Sequence, residues 1–188
     1  MSNQAWVEPF LVTGEDGTAL ANSTSATSIL PSSRKFTLPS YFADSIGKTL
    51  SLRAAGRVSN IVTTPGTLTF EVRLGSVVAW SSGALALNIV AKTNVSWLLD
   101  LDLTFRTLGA GTAANVLGIG RFTSESVIGS PLPSAGGSGT LLLPASAPAV
   151  GTGFDNTASQ TLDLFATWSI ANAGNSILTH QFRLLSLN

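Results

Sequence analysis

The chain has no cysteine, a single histidine and very few charged residues. Without cysteine it can form neither disulfides nor zinc–thiolate sites, and it has no thiol nucleophile. Only 11% of its 188 residues are Asp, Glu, Lys or Arg, and the formal net charge is zero. A surface this poor in charge is weakly protected against self-association. We therefore expect much of it to be covered by other copies of the chain or by another protein.

Segments that would target or anchor the protein are also missing from the sequence. The first residues, Met1 to Trp6, have neither a basic region nor an apolar stretch, so no secretory signal is predicted. Gly, Pro or Asn interrupts every apolar run before it reaches the length of a membrane-spanning helix. The basic residues are scattered, and their closest pair is Arg34-Lys35. We expect no membrane and no nucleic acid among the partners.

Alternation of apolar and polar residues with a period of two is the main pattern in the chain, and helical periodicity is nearly absent. It is clearest in residues 50–58, 67–74, 97–105 and 162–170. Each of these segments is typical of a strand with one buried face and one polar face. Shorter candidate strands are 5–12, 28–30, 35–38, 77–80, 116–123, 141–143 and 177–187.

This pattern predicts an all-β fold, with a single antiparallel β-sandwich domain over residues 1–188. We favour a jelly roll, and an immunoglobulin-like sandwich is the alternative. Residues 1–30 could instead form an extended N-terminal arm. No segment is long enough for the helix of a parallel crossover, so the sheets should be antiparallel.

Residues 129–156 form a long segment rich in Gly, Pro and Ser, and its only charged residue is Asp155. It contains the triple leucine Leu141 to Leu143, which would be costly to leave in water. We interpret the segment as a long loop that lies on another surface, expected to be a neighbouring subunit. The alternative is a mobile surface loop.

Asp100 and Asp102 lie two residues apart on one strand face, about 7 Å apart at ~3.3 Å rise per residue. That spacing would suit a pair of glycosidase carboxylates or part of a calcium site. The favoured interpretation is structural, because arginines on other polar strand faces can pair with them. The candidate arginines are Arg53, Arg57, Arg73 and Arg106.

Two further features indicate no chemistry. Gly47-Lys48-Thr49 resembles the end of a P-loop, but Phe42 stands where a glycine is required and a strand follows. His180 falls on the predicted face of Phe182 and Leu184, and one histidine cannot build a metal site within a chain. Three copies could meet at a symmetry axis, yet a partly buried histidine is the favoured interpretation. We predict no catalytic residue, no metal and no cofactor.

The remaining candidate residues suit an interface. Trp97 and Trp168 are in phase with buried strand faces and are predicted to be core. The final strand, 177–187, is apolar on both sides, so it should be central or face a partner. The candidate interface residues are Trp6, Trp80, Leu141, Leu142, Leu143, His180, Arg183 and Leu185.

Several stretches, which together make up about half of the chain, resemble small structural proteins of tailed bacteriophages. They are Thr63 to Phe70 with Arg73-Leu74-Gly75, Gly151 to Asp155 leading into 162–164 and Trp168-Ser169, and 174–188. The resemblance implies a virion component: a jelly-roll capsid decoration (cement) protein, commonly trimeric. It implies no functional residues, because that family performs no chemistry.

We therefore expect a non-enzymatic decoration protein that stabilises the assembled phage head. Its partners would be itself, as a homotrimer, and the major capsid protein. It would be made in the host cytoplasm and lie on the capsid surface of the virion. The alternative is a carbohydrate- or receptor-binding β-sandwich module of a tail or head fibre, which exposed aromatics on one rim would favour. An enzyme would need functional roles for Asp100 and Asp102.

Overall fold

The computed structural model describes residues 6–127 and 139–187. It contains thirteen strands and one short 3-10 helix, Ser32–Arg34. The strands are β1 (Val7–Val12), β2 (Leu20–Ala21), β3 (Thr27–Ser28), β4 (Phe36–Leu38), β5 (Thr49–Asn60), β6 (Thr67–Leu74), β7 (Val77–Ser81), β8 (Leu85–Ala86), β9 (Lys92–Thr107), β10 (Asn115–Ser124), β11 (Thr140–Leu143), β12 (Gln160–Trp168) and β13 (Ser176–Leu187). Within the described ranges no helix is long and apolar enough to cross a membrane.

The strands form two antiparallel sheets packed face to face, which confirms the predicted all-β sandwich. The larger, seven-stranded sheet has the order β1-β13-β5-β9-β10-β11, and β2 also pairs with β13. The smaller, six-stranded sheet has the order β3-β12-β6-β7, with β4 on β12 and β8 on β6.

The strand order has the connectivity of a jelly roll. The pairs β1/β2, β3/β4 and β7/β8 each line one edge of a single neighbour, so each pair acts as one interrupted strand. With these pairs merged, the first strand lies beside the last, β13, and the second lies beside the penultimate, β12. This wrapping is expected of a jelly roll, and β10 and β11 extend the larger sheet beyond β9.

The core lies between the two sheets and is built from the apolar phase of each long strand. Trp97 and Trp168 are buried in it, as predicted. The rings of Phe70, Trp97 and Phe122 have centroids 5.1 to 6.0 Å apart. The indole of Trp97 donates hydrogen bonds to two backbone carbonyl oxygens of the same sheet, at 3.1 and 3.2 Å. Its polar atom is therefore satisfied inside the sandwich.

The last strand, β13, contains an irregularity that the sequence pattern did not predict. Its register against β5 shifts between Thr179 and Gln181, which is a β-bulge. Ile177 and Thr179 point inward before the bulge, and Phe182 and Leu184 point inward after it. His180 therefore does not share the face of Phe182, contrary to the prediction. The bulge returns Phe182 and Leu184 to the inner face, whereas Leu185 remains on the outer face.

The segment predicted as a long loop over 129–156 lies partly outside the described residues, which resume at residue 139. Its triple leucine falls in β11, which pairs with β10 at the edge of the larger sheet. Leu143 is buried, Leu141 packs against the core, and Leu142 is 79% exposed. Packing within the chain thus accounts for two of the three leucines. At the other terminus, β1 and β2 pair with β13 in the larger sheet and β3 pairs with β12 in the smaller one.

Candidate protein–protein interface

One row of side chains crosses the outer face of the larger sheet. Its members are cross-strand neighbours on six adjacent strands, and each therefore points to the same face. They are, in spatial order, Val12, Arg183, Arg53, Asp100, Arg121 and Leu142. We call these six residues the charged row. Exposed apolar side chains, Val12 and Leu142, stand at its two ends.

Asp100 is the only acid in the charged row and contacts an arginine on each side. Its Oδ1 lies 3.5 Å from Nε of Arg53, and its Oδ2 lies 3.2 Å from both Nε and a terminal nitrogen of Arg121. The predicted pairing of Asp100 with an arginine is confirmed for Arg53, whereas Arg121 was not among the candidates. Arg73, another candidate, pairs with Glu71 on the smaller sheet.

Asp102 differs from Asp100. Its cross-strand neighbours are Ser51 and Ile119, and no ion pair reaches it from the part of the chain that the structure describes. The expectation that both aspartates pair with arginines is therefore correct for Asp100 and wrong for Asp102. The physical reason is register, since the arginines of β5, β10 and β13 in this region all stand in the row of Asp100.

Arg183 has a like-charged neighbour and no acidic one. It stands directly opposite Arg53, and no carboxylate among the described residues forms an ion pair with it. It lines a groove of about 380 Å³ together with Val12, Thr13, Gln181 and Arg53. A second, shallower groove of about 430 Å³ continues from Arg183 to Leu142. The guanidinium of Arg183 is thus available to an acceptor from outside the chain.

The outer face of the larger sheet is positively charged, although the chain is neutral. The outward phase of β5, β9, β10 and β13 carries five arginines against two aspartates, which gives this face a net charge of +3. The formal net charge of the chain is zero, so the rest of the molecule carries −3. The five arginines are Arg53, Arg57, Arg106, Arg121 and Arg183. Basic residues that looked scattered in the sequence are therefore concentrated by the fold.

The predicted interface residues are distributed over several parts of the molecule. Arg183 and Leu142 lie in the charged row, and Leu185 lies on the same face in the next row, opposite Ser51. Trp80 and Leu143 are instead core residues, 3% and 2% exposed. Trp80 is buried because its indole fills the space between the sheets and donates a hydrogen bond to the carbonyl oxygen of Gly118.

Two further predicted interface residues, Trp6 and His180, lie on other parts of the surface. Trp6, just before β1, is exposed. His180, at the β13 bulge, is partly exposed, and its Nδ1 lies 2.7 Å from Oδ1 of Asp16. Arg53 and Arg121 also belong to the charged row and were not predicted as interface residues. Their outward phase was visible in the sequence, but their proximity depends on strand order and register.

Neither a metal site nor an aromatic platform is found in the described ranges. No group of three His, Cys, Asp or Glu side chains in residues 6–127 and 139–187 could hold a metal ion. Trp6 and Tyr41 are the strongly exposed aromatic residues in the same ranges. Comparison of the chain with protein-family models, with curated proteins and with solved structures found no match.

Proposed function

We propose that the protein is a non-enzymatic structural component of a phage particle, a capsid decoration protein that oligomerises and stabilises the assembled head. The resemblance described above suggests the class of protein, and a jelly-roll sandwich agrees with it. The observation that carries the assembly part of the proposal is the charged row. An unpaired arginine in a groove, flanked by exposed apolar side chains, is suited to contact with another protein surface.

The size of this face also supports assembly. The central strands β13, β5, β9 and β10 are each 10 to 16 residues long. Four strands about 4.8 Å apart, each 12 residues long at ~3.3 Å per residue, present roughly 750 Å². A stable interface buries about 800 Å² on each partner. One contact across this face would therefore provide the area that a stable oligomer needs.

A second surface suits attachment to a shell. Exposed Val62, Ile89 and Val90 lie at one end of the sandwich, where the amide N–H of Thr63 donates to the carbonyl oxygen of Ile89 at 2.8 Å. Buried Asn60 ties these loops together, because its amide group donates to the carbonyl oxygens of Asn88 at 2.6 Å and of Val90 at 3.2 Å.

A second buried asparagine, Asn175, holds the neighbouring loop. Its Oδ1 accepts from the amide N–H of Ile61 at 3.0 Å, and its amide group donates to the carbonyl oxygen of Pro65 at 2.9 Å. We propose this apolar end as the surface that contacts the major capsid protein. Loops already held in place lose little conformational entropy on binding.

The other functions considered have less support. Both oxygens of Asp100 face arginines, so Asp100 and Asp102 are not the free pair of carboxylates that glycoside hydrolysis needs. A sugar-binding fibre module would favour a cluster of exposed aromatics, whereas Trp6 and Tyr41 belong to separate loops of the described chain.

Three measurements test the proposal. Sedimentation velocity at micromolar concentration should give a trimer, and a monomer would contradict the assembly part. Co-sedimentation with empty shells built from the major capsid protein of the same phage should leave the protein in the pellet. Calorimetry of those shells should show a higher unfolding temperature with the protein than without it. A trimer that neither binds nor stabilises shells would refute the decoration role.

A further inference from the structure

Acidic side chains gather at the end of the sandwich opposite the apolar end. Asp44 lies in the loop between β4 and β5, and Asp155 lies in the loop before β12. Tyr41 and Ile46, in the same loop as Asp44, are both exposed. We call Tyr41, Asp44, Ile46 and Asp155 the acidic end.

Asn156 joins the two loops of the acidic end. Its carbonyl oxygen accepts from the amide N–H of Tyr41 at 2.8 Å. Its side chain accepts from the amide N–H of Ala43 at 3.4 Å and donates to the carbonyl oxygen of Ala43 at 2.9 Å. The side chain of Asn156 is buried, so these bonds are shielded from water. The acidic end is therefore a preformed surface rather than two independent loops.

Both carboxylates of the acidic end are charged at neutral pH. The pKa of Asp44 is lowered mainly by a hydrogen bond from its own backbone amide and secondly by the positive charge of Lys48. Hydrogen bonds from the Thr157 hydroxyl and then from the amide N–H of Gly111 lower the pKa of Asp155.

The nearby lysine does not cancel this charge at the surface. Lys48 is mostly buried, and its Nζ lies 4.4 Å from the centre of the Phe42 ring. The side chain of Asp44, in contrast, is 76% exposed. The charge that a partner would meet at Asp44 is therefore negative.

The acidic end and the charged row have complementary charges, and each also has exposed apolar side chains. One presents two carboxylates with exposed Tyr41 and Ile46, and the other presents arginines between exposed Val12 and Leu142. Contact between the charged rows of two copies would be repulsive, because each sheet face carries a net charge of +3. The charges therefore favour a head-to-tail contact, and head-to-tail contacts close into rings when the rotation allows it.

We propose that the charged row of one copy receives the acidic end of the next, with Arg183 pairing with Asp44, so that three copies close a ring. This inference rests on the proposed oligomeric function and adds the two surfaces that meet. Arg183 faces no acid among the described residues. Asp44 makes only local contacts with its neighbours in the chain: its Oδ1 accepts from the Ser45 hydroxyl at 3.3 Å and lies 3.6 Å from Nζ of Lys48.

Charge reversal at each site, alone and together, tests the inference by sedimentation velocity. Arg183→Glu and Asp44→Arg should each lower the association constant at least tenfold. The double variant, Arg183→Glu with Asp44→Arg, should recover most of the loss. Lys92→Glu, at the apolar end, is the matched control and should assemble like the parent. Circular dichroism should give the same spectrum for all variants, so that loss of assembly is not loss of folding.

Four other outcomes of these experiments would overturn the inference, each for a different reason. If Arg183→Glu assembles like the parent protein, the charged row is not the interface between copies, although the proposed function can still hold. If the single variants fail to assemble and the double variant fails as well, the pairing with Asp44 is wrong. If Arg183→Glu assembles normally but no longer binds shells, the acidic partner is the shell. If the parent is a monomer, the assembly part of the proposed function fails together with this inference.

Discussion

Trp80 on β7 and Gly118 on β10 join the two sheets through a hydrogen bond of 3.1 Å from the indole N–H to the carbonyl oxygen. The indole ring lies directly against Gly118. A Cβ atom at residue 118 would overlap Cδ1 and Nε1 of the ring and would also contact the side chain of Leu103. Glycine is therefore required at this position for close approach between the sheets, and not for its conformational freedom.

Gly118→Ala should accordingly destabilise the protein. The extra methyl group forces the buried indole to move, and overpacking of this kind costs about 1–3 kcal/mol. Gly14→Ala is the matched control, because no atom lies within 4 Å of the added methyl group there. Urea unfolding should give a lower free energy of unfolding for Gly118→Ala and a change within about 0.5 kcal/mol for Gly14→Ala. Equal values for the two variants would contradict the packing described here.

Lys35→Met should destabilise the fold because it leaves a buried carboxylate unpaired. Nζ of Lys35 lies 2.7 Å from Oδ2 of Asp163, whose side chain is only 8% exposed. Loss of one partner of a fully buried pair costs ~3–5 kcal/mol. We expect about 2 kcal/mol here, because Lys35 is partly exposed and the Ser28 hydroxyl still donates to Asp163.

Lys92→Met is the control for that experiment. Lys92 pairs with Glu125, which is well exposed, so its loss should cost at most about 1 kcal/mol. Thermal unfolding at neutral pH compares the two variants. If Lys92→Met proves as harmful as Lys35→Met, the burial of Asp163 is not what makes the Lys35 pair important.

Thr179→Val should stabilise the protein. The hydroxyl of Thr179 is buried beside the β13 bulge and has no hydrogen-bond partner among residues 6–127 and 139–187. An unpaired buried hydroxyl costs roughly 1–3 kcal/mol, so valine should raise the free energy of unfolding by about 1 kcal/mol. Thr13→Val should have the opposite sign, because the Thr13 hydroxyl accepts from the amide N–H of Phe182 at 2.8 Å. A drop in melting temperature for Thr179→Val would mean that a partner, such as an ordered water, satisfies the hydroxyl.

Asp100→Asn should destabilise the monomer, whereas Asp102→Asn should not. Removal of the Asp100 charge leaves Arg183, Arg53 and Arg121 in one row with no acid between them. Each of the two ion pairs of Asp100 should contribute ~0.2–1 kcal/mol to stability, as exposed ion pairs do. Asp102 makes no ion pair within the described residues, so its loss should be neutral. Denaturation at low and high salt checks this, because added salt should narrow the difference between the two variants.

Much of the fold could be predicted from alternation alone, because a half-buried strand needs a period of two. The segment 97–105 lies within β9, and its predicted face is buried. Residues 162–168 of the segment 162–170 lie within β12 with the predicted face buried, whereas Ile170 lies beyond the strand and is exposed. Alternation fails where a strand is irregular. Trp80 is missed because β7 buries the consecutive residues Ala79 and Trp80, next to a register shift between Val72 and Arg73 on β6.

The candidate interface was less accessible to sequence reasoning. Arg53, Arg121 and Arg183 come from strands far apart in the chain, and only register aligns them. No local pattern encodes which strands become neighbours. The bulge at Gln181 adds to the difficulty, because a single extra residue reverses which face the following side chains occupy.

Leu142 and Leu143 are adjacent in β11 and point to opposite faces of the sheet. Substitutions at the two residues can therefore distinguish effects on assembly from effects on folding. Leu143 is buried in the core, so Leu143→Ala should cost about 2–4 kcal/mol of stability through the cavity that it creates. Leu142 stands at the exposed end of the charged row, and Leu142→Ala should change monomer stability by less than about 0.5 kcal/mol.

In assembly the effects should be reversed, so that Leu142→Ala weakens the oligomer and Leu143→Ala does not. If the charged row is an interface, Leu142→Ala removes an apolar contact at its edge and should weaken the oligomer several-fold in sedimentation velocity. Leu143→Ala should assemble like the parent at temperatures where it remains folded, because its side chain never reaches the surface. A Leu142→Ala protein with unchanged stability and unchanged assembly would remove this end of the charged row from the interface.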